Sequence, residues 1–194
     1  MSSVLILYAH NPSNSQLDGA SSVEIDLMET RWLIEGGVAV VAALIVGSLV
    51  EYVVHRLMHV RWLLGKKHAE HHKDGWGQGW AGEFWDYFVG GLILLWLGFL
   101  YSIPVGIGWL AGLLVFAALA AYAHQLQHER PELCFWLKRP VHYLHHRHHM
   151  WRHNFGISLD IWDRVFGTYK VVEWNPEKRP FQHPLRSFFQ IKWF

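Results

Sequence analysis

The chain has 194 residues, of which 52% are hydrophobic and 17% charged, and its formal net charge is +1 with histidine neutral. This length predicts one domain, with or without tails, and the apolar, tryptophan-rich composition excludes a disordered chain and favours a membrane protein. Because so small a net charge gives no global basic field, no nucleic-acid partner is expected.

The N-terminal segment, residues 1–31, is predicted to lie outside the cytoplasm or at a membrane interface. Residues 4–8 are apolar and precede a turn containing Asn, Pro and Ser, a pattern that predicts a strand leading into a loop. Residues 21–31 combine acidic and apolar side chains, which predicts a short interfacial helix leading into the membrane.

The central domain, residues 32–170, contains three apolar segments that predict membrane-embedded helices. Residues 32–54 reach about 34 Å as a helix, enough to cross the hydrocarbon core. Pro104 divides the next apolar stretch into two predicted spans, 87–103 and 106–123, each about 26 Å long. A re-entrant hairpin that does not fully cross is the alternative for this pair. The predicted fold is an all-α integral membrane protein with about three membrane-embedded helices.

The polar segments are predicted to form a helical cap outside the bilayer. Residues 52–74 continue the first helix, break at Gly65 and form a second helix. Residues 75–82 read GWGQGWAG, which contains a formal G-x-G-x-x-G, but no strand precedes it and a dinucleotide site is rejected. This loop is interpreted as mobile and lying among lipid head groups. The tail, residues 171–194, is expected to pack beside the helices of the cap.

Ten of the fifteen histidines occur in four spaced boxes, two of the form H-x-x-x-H and two of the form H-x-x-H-H. Side chains three and four positions apart share one face of a helix, so the imidazoles of a box converge. Ten neutral imidazoles could hold two metal ions with open positions. The candidate ligands are His55, His59, His68, His71, His72, His124, His128, His142, His145 and His146.

A zinc finger and a metal-storage tract both fit the boxes less well. No cysteine lies in a box, so the thiolates of a zinc finger are missing. A metal-storage tract would be a low-complexity run rather than spaced boxes. Histidines placed at a membrane surface for solubility remain the simplest alternative.

Three carboxylates are candidates to orient the imidazoles. Glu51 lies one turn before His55 and could accept a hydrogen bond from an imidazole N–H, or could lie at the membrane surface. Asp160 or Asp163 could do the same, although Asp163 could equally pair with Arg164 or cap a turn. The Asn-Phe-Gly sequence at 154–156 predicts a turn that returns the chain to the metal site.

The distribution of basic residues predicts the topology. Residues 1–31 contain one basic residue, Arg31, whereas nearly all lysines and arginines lie near the histidine boxes or in the C-terminal region. The positive-inside rule therefore places every box on the cytoplasmic face and the N-terminus outside.

The motifs HRLMH, HAEHH, HQLQH and HYLHH, followed by NFG and WDRVFGTY, occur in this order over about residues 46–169. Their order and spacing resemble the fatty acid hydroxylase/sterol desaturase superfamily. The resemblance implies a cytoplasmic centre of two iron ions held by the ten histidines above, with zinc able to occupy the site on isolation. It implies hydroxylation or desaturation of a fatty acyl, sterol-like or isoprenoid lipid with O2, and a separate electron donor that is cytochrome b5-like or a ferredoxin.

The last box has a second possible register, because His145, His148 and His149 also spell H-x-x-H-H. The spacing in the superfamily favours the earlier register, beginning at His142. His149 and His153 remain candidates for an extra ligand or for a residue that supports a ligand. His10 and His183 match no box and are assigned no role.

Two functions other than an oxygenase are considered. The first is a non-enzymatic membrane metal-binding or metal-transport protein; transport would need ligands within the spans, near the centre of the bilayer, whereas the boxes lie just outside them. A b-type haem carrier would use two histidines for each haem and leave most of the boxes unexplained.

Overall fold

The computed structural model describes the backbone of residues 12–175 and 184–194, and the side chains of residues 24–175 and 186–194. The strand predicted for residues 4–8, together with His10 and His183, lies outside the described residues. Within them every regular element is helical, which confirms the all-α prediction. The α-helices are α1 (Pro12–His59), α2 (Gly65–Asp74), α3 (Trp80–Gly91), α4 (Ile103–Glu129), α5 (Val141–Arg147), α6 (Ile161–Val165) and α7 (Pro184–Ser187). Short 3-10 helices cover Gly98–Leu100 and Pro131–Leu133.

Two helices dominate the fold. α1 has 48 residues and α4 has 27, and each contains a segment long and apolar enough to cross a membrane. The interfacial helix predicted for residues 21–31 is part of α1, which continues through residue 31 without a break. Ser102 caps α4 by accepting a hydrogen bond from the backbone N–H of Val105, and Pro104 lies in the first turn, where its missing N–H is not needed.

α1 and α4 pack against each other in parallel. Gly36 of α1 faces Gly108 of α4, and Gly47 faces Phe116 farther along. Residue numbers therefore increase in the same direction along both helices. Glycine at the contact lets the two backbones approach closely, a packing mode common between membrane helices. The consequence is that both helices deliver their C-terminal histidines to the same end of the molecule.

The close approach at Gly108 predicts a position-specific effect of adding one methyl group. A Cβ on Gly108 would overlap the carbonyl oxygen of Gly36, so Gly108→Ala should destabilise the fold by about 2 kcal/mol. Gly37→Ala is the matched control, because nothing lies within 4 Å of its added methyl group. Alanine there should stabilise the helix by up to about 1 kcal/mol. Thermal unfolding of the purified variants measures both, and equal melting temperatures would contradict the packing.

The chain leaves α1 through residues 60–64. Arg61 and Leu64 have positive φ angles of 61° and 47°, which end the helix, and Gly65 begins α2. The predicted break therefore occurs just before Gly65. A Cβ on this glycine would lie 2.9 Å from the carbonyl oxygen of Met58, so the tight turn that folds α2 back onto α1 requires glycine.

Residues 87–103 do not form the single helix that their apolar composition predicts. α3 ends at Gly91, and the chain continues through turns joined by hydrogen bonds between residues three apart, such as Leu94 N–H to the Gly91 carbonyl. Two consecutive glycines at 90–91 favour the interruption, because glycine is a poor helix former. The indole N–H of Trp109 donates to the Leu94 carbonyl over 2.8 Å and fixes these turns to α4.

The end of the tail packs beside the helices that carry the histidines. The backbone N–H groups of Trp80 and Ala81, at the start of α3, donate to the carbonyls of Lys192 and Trp193. This contact satisfies donors that the first turn of a helix leaves unpaired. Ile191 adds apolar contact with the Leu126 cluster of α4.

Candidate metal centre

All ten predicted ligands converge at the common end of α1 and α4. Nine of them form two groups, and within each the nitrogens that could bind a metal lie within 4.8 Å of one another. The five-histidine group contains His55, His59, His68, His72 and His145. The four-histidine group contains His71, His124, His128 and His142. α1 supplies only the first group and α4 only the second, whereas α2 and α5 each contribute to both.

His146, the tenth predicted ligand, lies between the two groups. Its ring is stacked on that of His72, with centroids 3.9 Å apart, and the His71 and His128 rings are each 4.7 Å away. Both of its nitrogens are buried and have no hydrogen-bond partner. A buried, unpaired imidazole is costly unless something binds it, so this residue fits a metal ligand at the junction of the groups.

The spacing of the nitrogens matches that of ligands around one ion. In the five-histidine group, His59 Nε2 lies 2.9 Å from His68 Nε2, 3.3 Å from His72 Nε2 and 2.9 Å from His145 Nε2. A metal–imidazole bond of about 2.1 Å places neighbouring ligands about 3.0 Å apart at right angles and about 3.4 Å apart in a tetrahedron.

The four-histidine group has the same spacing. His128 Nε2 lies 3.1 Å from His71 Nε2, 3.3 Å from His124 Nε2 and 3.2 Å from His142 Nε2. Each group therefore has the dimensions of a metal site. Imidazole nitrogens suit zinc, copper, iron and nickel, and carboxylates, which suit magnesium and calcium, are absent from both groups among the described residues.

Backbone carbonyls fix the orientation of three of these rings. The Nδ1 atoms of His55, His145 and His128 lie 2.6, 2.8 and 3.1 Å from the carbonyl oxygens of Phe155, His153 and Gly75. Because a carbonyl can only accept, each Nδ1 carries the proton and each Nε2 presents a lone pair to the centre. His55 Nε2 is buried without a hydrogen-bond partner, as expected of a nitrogen prepared for a metal.

Glu83 supports a ligand although the sequence analysis did not single it out. One oxygen of its buried carboxylate lies 2.8 Å from His124 Nδ1. A carboxylate in this position keeps the proton on Nδ1 and makes the ring a stronger ligand through Nε2. The only indication in the sequence was that Glu83 is an acidic residue at the start of an apolar, tryptophan-rich segment.

Glu51 does not orient an imidazole. Its buried carboxylate accepts hydrogen bonds from the backbone N–H of Ser158 over 3.0 Å, from the Ser158 hydroxyl, and from the Tyr87 hydroxyl over 3.3 Å. His55 is bonded to the Phe155 carbonyl instead. The expected contact fails because the polar loop after α5 reaches Glu51 and satisfies it.

Asp163 organises the loop at 154–156 rather than contacting an imidazole directly. Its carboxylate accepts from the backbone N–H groups of Phe155 and Gly156, over 2.8 and 2.7 Å, and from the Thr168 hydroxyl over 2.7 Å. The peptide group that joins Phe155 to Gly156 thus donates to Asp163 and accepts from His55. The predicted turn does return the chain to the metal site, and Asp163 positions His55 through one peptide group.

Asp160 has no contact with the centre. It forms an exposed ion pair with Arg164 over 2.6 Å, so the partner considered for Asp163 belongs to Asp160. The pairing follows from their spacing, since side chains four residues apart meet on the surface of α6.

The last box enters the centre in the earlier register. His142 and His145 are fully buried, whereas His148 and His149 are exposed. His149 has a positive φ of 49° just after α5 ends, which turns it away from the face of the helix that carries the ligands. His153 contributes through its backbone carbonyl, which accepts from His145.

The glycine-rich loop is packed against α4, contrary to its interpretation as a mobile loop. Gly77 and Gly79 are buried, and the Gly79 N–H donates to the side chain of Gln125 over 3.0 Å. Any side chain at Gly77 would overlap Gln125. Gly77 and Gly79 are therefore required for close packing, and the same loop carries the Gly75 carbonyl that orients His128.

Burial keeps the imidazoles neutral, which metal binding requires. It lowers the pKa of His72 and His145 to about 3 and that of His68 to about 2, from an ordinary value of 6.5, with neighbouring histidines adding to the effect. Protonation at mild acidity would therefore occur on the unfolded chain rather than on the folded one.

These shifts predict that the metal-free protein loses stability in mild acid. Below pH 6.5 these histidines are protonated in the unfolded chain but stay neutral in the folded one. The stability present above that pH is therefore lost as the pH falls towards 3. At pH 5 each such histidine costs about 2 kcal/mol. Thermal unfolding of chelator-treated protein between pH 7.5 and 5 measures this loss. His72→Gln should make the dependence shallower by about one proton, and an unchanged slope would contradict the assignment.

Comparison with known proteins identifies the family. The sequence model of the fatty acid hydroxylase family matches residues 40–168. No curated protein and no solved structure matches the chain. The matched region contains every residue of both histidine groups and of the loop that positions His55, and it covers well over half of the sequence. The chain therefore belongs to the fatty acid hydroxylase family.

Proposed function

We propose that this protein is a membrane-bound di-iron oxidoreductase that uses O2 to hydroxylate or desaturate a lipid of the fatty acyl, sterol-like or isoprenoid type. The observation that carries the proposal is the division of nine of the ten imidazoles into two groups with ligand-like spacing, with His146 between them. Membership of the fatty acid hydroxylase family supplies the class of reaction.

The exposed apolar faces of α1 and α4 support a membrane location. Val38, Val41 and Ile45 follow one another at helical spacing on α1 and are each more than half exposed, and Ile107 and Leu119 are similarly exposed on α4. In water such faces would be unfavourable, whereas in lipid they match the surrounding acyl chains.

The parallel arrangement of α1 and α4 supports three crossings. If both helices cross in the same direction, the segment between them has to return through the bilayer. Residues 80–102 provide this return as α3 followed by turns fixed to α4. Irregular backbone at membrane depth is tolerated where it packs against protein. The basic residues near the boxes support a cytoplasmic position of the metal centre.

Iron bound in the two groups would supply the activation of O2 and the oxidation of an unreactive C–H bond, which side chains alone cannot perform. The residues of this chain do the rest. Neutral imidazoles hold the metal without changing its charge, and the carbonyls of Phe155 and His153 fix two of them. His142 and His145 are inaccessible to solvent, so bulk water is kept from this side of the centre.

A comparative lipid analysis tests the proposal. The intact chain and its His145→Ala variant would be expressed in one lipid-producing host together with a cytochrome b5 or a ferredoxin and its reductase. A lipid that gains one oxygen only with the intact chain identifies a hydroxylase, and one that loses two hydrogens identifies a desaturase. Two bound irons without any lipid change would contradict the proposal and favour a non-enzymatic metal-binding protein.

A further inference from the structure

Trp151 is an exposed tryptophan in direct contact with the five-histidine group. Its indole lies parallel to the His72 ring, with centroids 5.5 Å apart at an angle of 26°, and its edge meets the His59 ring at 5.1 Å. Half of the side chain is nevertheless exposed to solvent. An aromatic ring that touches two predicted ligands on one side and solvent on the other joins the metal centre to the surface.

The surface around Trp151 is cationic. Two open cavities flank the indole, one of about 490 Å³ and one of about 190 Å³. Arg152 lines both, and Lys170 lines the larger together with His148, His149 and His153. Arg56 and His59 line the smaller. Among the residues that the structure describes, no carboxylate lines either cavity. We call these residues, with Trp151, the Trp151 surface. Its charge is complementary to an acidic partner.

The position of the Trp151 surface along α1 favours a protein partner over the bilayer. Trp162 donates to Ser48 of α1, Phe155 contacts His55, and Trp151 contacts His59. Residues 151–162 therefore run antiparallel to α1. Trp151 lies about 16 Å farther from the apolar part of α1 than Trp162 does. Exposed apolar residues such as Ile161 and Val165 lie at the Trp162 end, whereas Arg152 and Lys170 lie at the end farther from the apolar part of α1, beside the exposed Val60.

The proposed reaction needs electrons that neither the lipid nor O2 supplies. Hydroxylation combines a C–H bond, O2, two electrons and two protons to give an alcohol and one water. Desaturation takes the same two electrons and two protons and releases an alkene and two waters. A one-electron carrier protein has to deliver them in two encounters, losing one electron each time, while solvent supplies the protons.

We propose that the Trp151 surface is the docking site of an acidic one-electron carrier protein, and that the indole of Trp151 is the contact through which each electron would pass, by way of the His59 and His72 rings, to the metal that the five-histidine group would hold. Tryptophan at the centre of a cationic patch is typical of the residues that dominate protein interfaces. Complementary charge accelerates encounter and sets the orientation of the partner. This inference rests on the proposed function, because a metal-binding protein without oxygenase activity would not need the carrier.

Binding to redox-inactive protein tests the docking site without any turnover. Zinc-loaded chain in phosphatidylcholine nanodiscs would be titrated at low and high salt with two acidic probes, a plant-type ferredoxin and the soluble domain of cytochrome b5. Arg152→Glu should raise Kd about tenfold at low salt and weaken the salt dependence. Lys138→Glu is the matched control, because Lys138 is exposed but lines neither cavity, and its Kd should stay within about twofold.

Three results would contradict the proposed docking site. They are the absence of binding by both probes, an equal effect of the two charge reversals, or an unchanged Kd for Arg152→Glu. If the Trp151 surface instead binds anionic lipid, adding phosphatidylglycerol to the nanodiscs should raise the melting temperature of the native chain but not that of Arg152→Glu. That outcome, with equal carrier affinity in both proteins, also rejects the proposal.

A second measurement tests the role of the indole. In iron-loaded protein saturated with carrier, Trp151→Leu should slow reduction by the bound carrier about tenfold, while iron content and reduction by dithionite stay unchanged. Trp151→Phe, which keeps an aromatic ring, should restore part of the rate. Slower reduction by carrier and dithionite alike would show that Trp151 only supports the centre. Since lipid oxidation is not measured, failure here is distinct from failure of the proposed function.

Discussion

His145→Ala should remove one of two bound metal ions and abolish lipid oxidation. His145 is inaccessible to solvent, and its Nε2 lies 2.9 Å from that of His59 and 3.2 Å from that of His72, at the centre of the five-histidine group. Its Nδ1 is held by the His153 carbonyl, so no other ring can take its place without rebuilding the loop. We expect activity to fall at least about 100-fold, beyond the usual effect of altering a residue that merely supports a ligand.

Metal analysis distinguishes loss of one site from general unfolding. If the two groups bind independently, His145→Ala should retain the ion of the four-histidine group, so the metal content should fall from two per chain to one. His128→Ala should do the converse. His149→Ala is the matched control for metal binding, because His149 lies four residues beyond His145 but is exposed, and it should retain both ions. Full metal content in His145→Ala would remove this residue from the ligand set.

The convergence of each box was predictable because it depends only on local helical spacing. The division into two groups was not. His68 and His72 lie four residues apart on α2 and enter the five-histidine group, whereas His71 enters the other. This separation follows from the position of α2 between α1 and α4, which is a tertiary feature. Spacing alone can assemble the ligands but cannot assign them to particular ions.

The hydrogen-bond partners of the buried carboxylates could not be predicted from neighbouring positions in the sequence either. Glu51 lies one turn before His55, yet it binds Ser158, 107 positions away. Asp163 was a candidate for direct contact with a ring, and it acts on His55 through a peptide group instead. In both cases the competing donors are backbone N–H groups of a loop that has to be satisfied once it is buried. The sequence therefore indicates which carboxylates are candidates, but not which groups donate hydrogen bonds to them.

Asp163→Ala should strongly destabilise the fold. Asp163 is fully buried and accepts three side-chain hydrogen bonds, two of them from the backbone N–H groups of Phe155 and Gly156. Removing the carboxylate leaves both N–H groups buried without a partner, at about 1–3 kcal/mol each. We expect a loss of about 4 kcal/mol, which corresponds to a fall of about 10 °C in melting temperature for a chain of this size.

The same change should weaken metal binding, because the Phe155 carbonyl that orients His55 belongs to the peptide group whose N–H Asp163 holds. Asp160→Ala is the matched control. It removes a carboxylate three positions earlier that pairs only with the exposed Arg164, and such surface pairs contribute about 0.5 kcal/mol. Thermal unfolding with and without chelator separates the two effects, since a purely structural role would lower both melting temperatures equally. A role in orienting His55 requires that the stabilisation given by bound metal also decreases in Asp163→Ala and stays unchanged in Asp160→Ala.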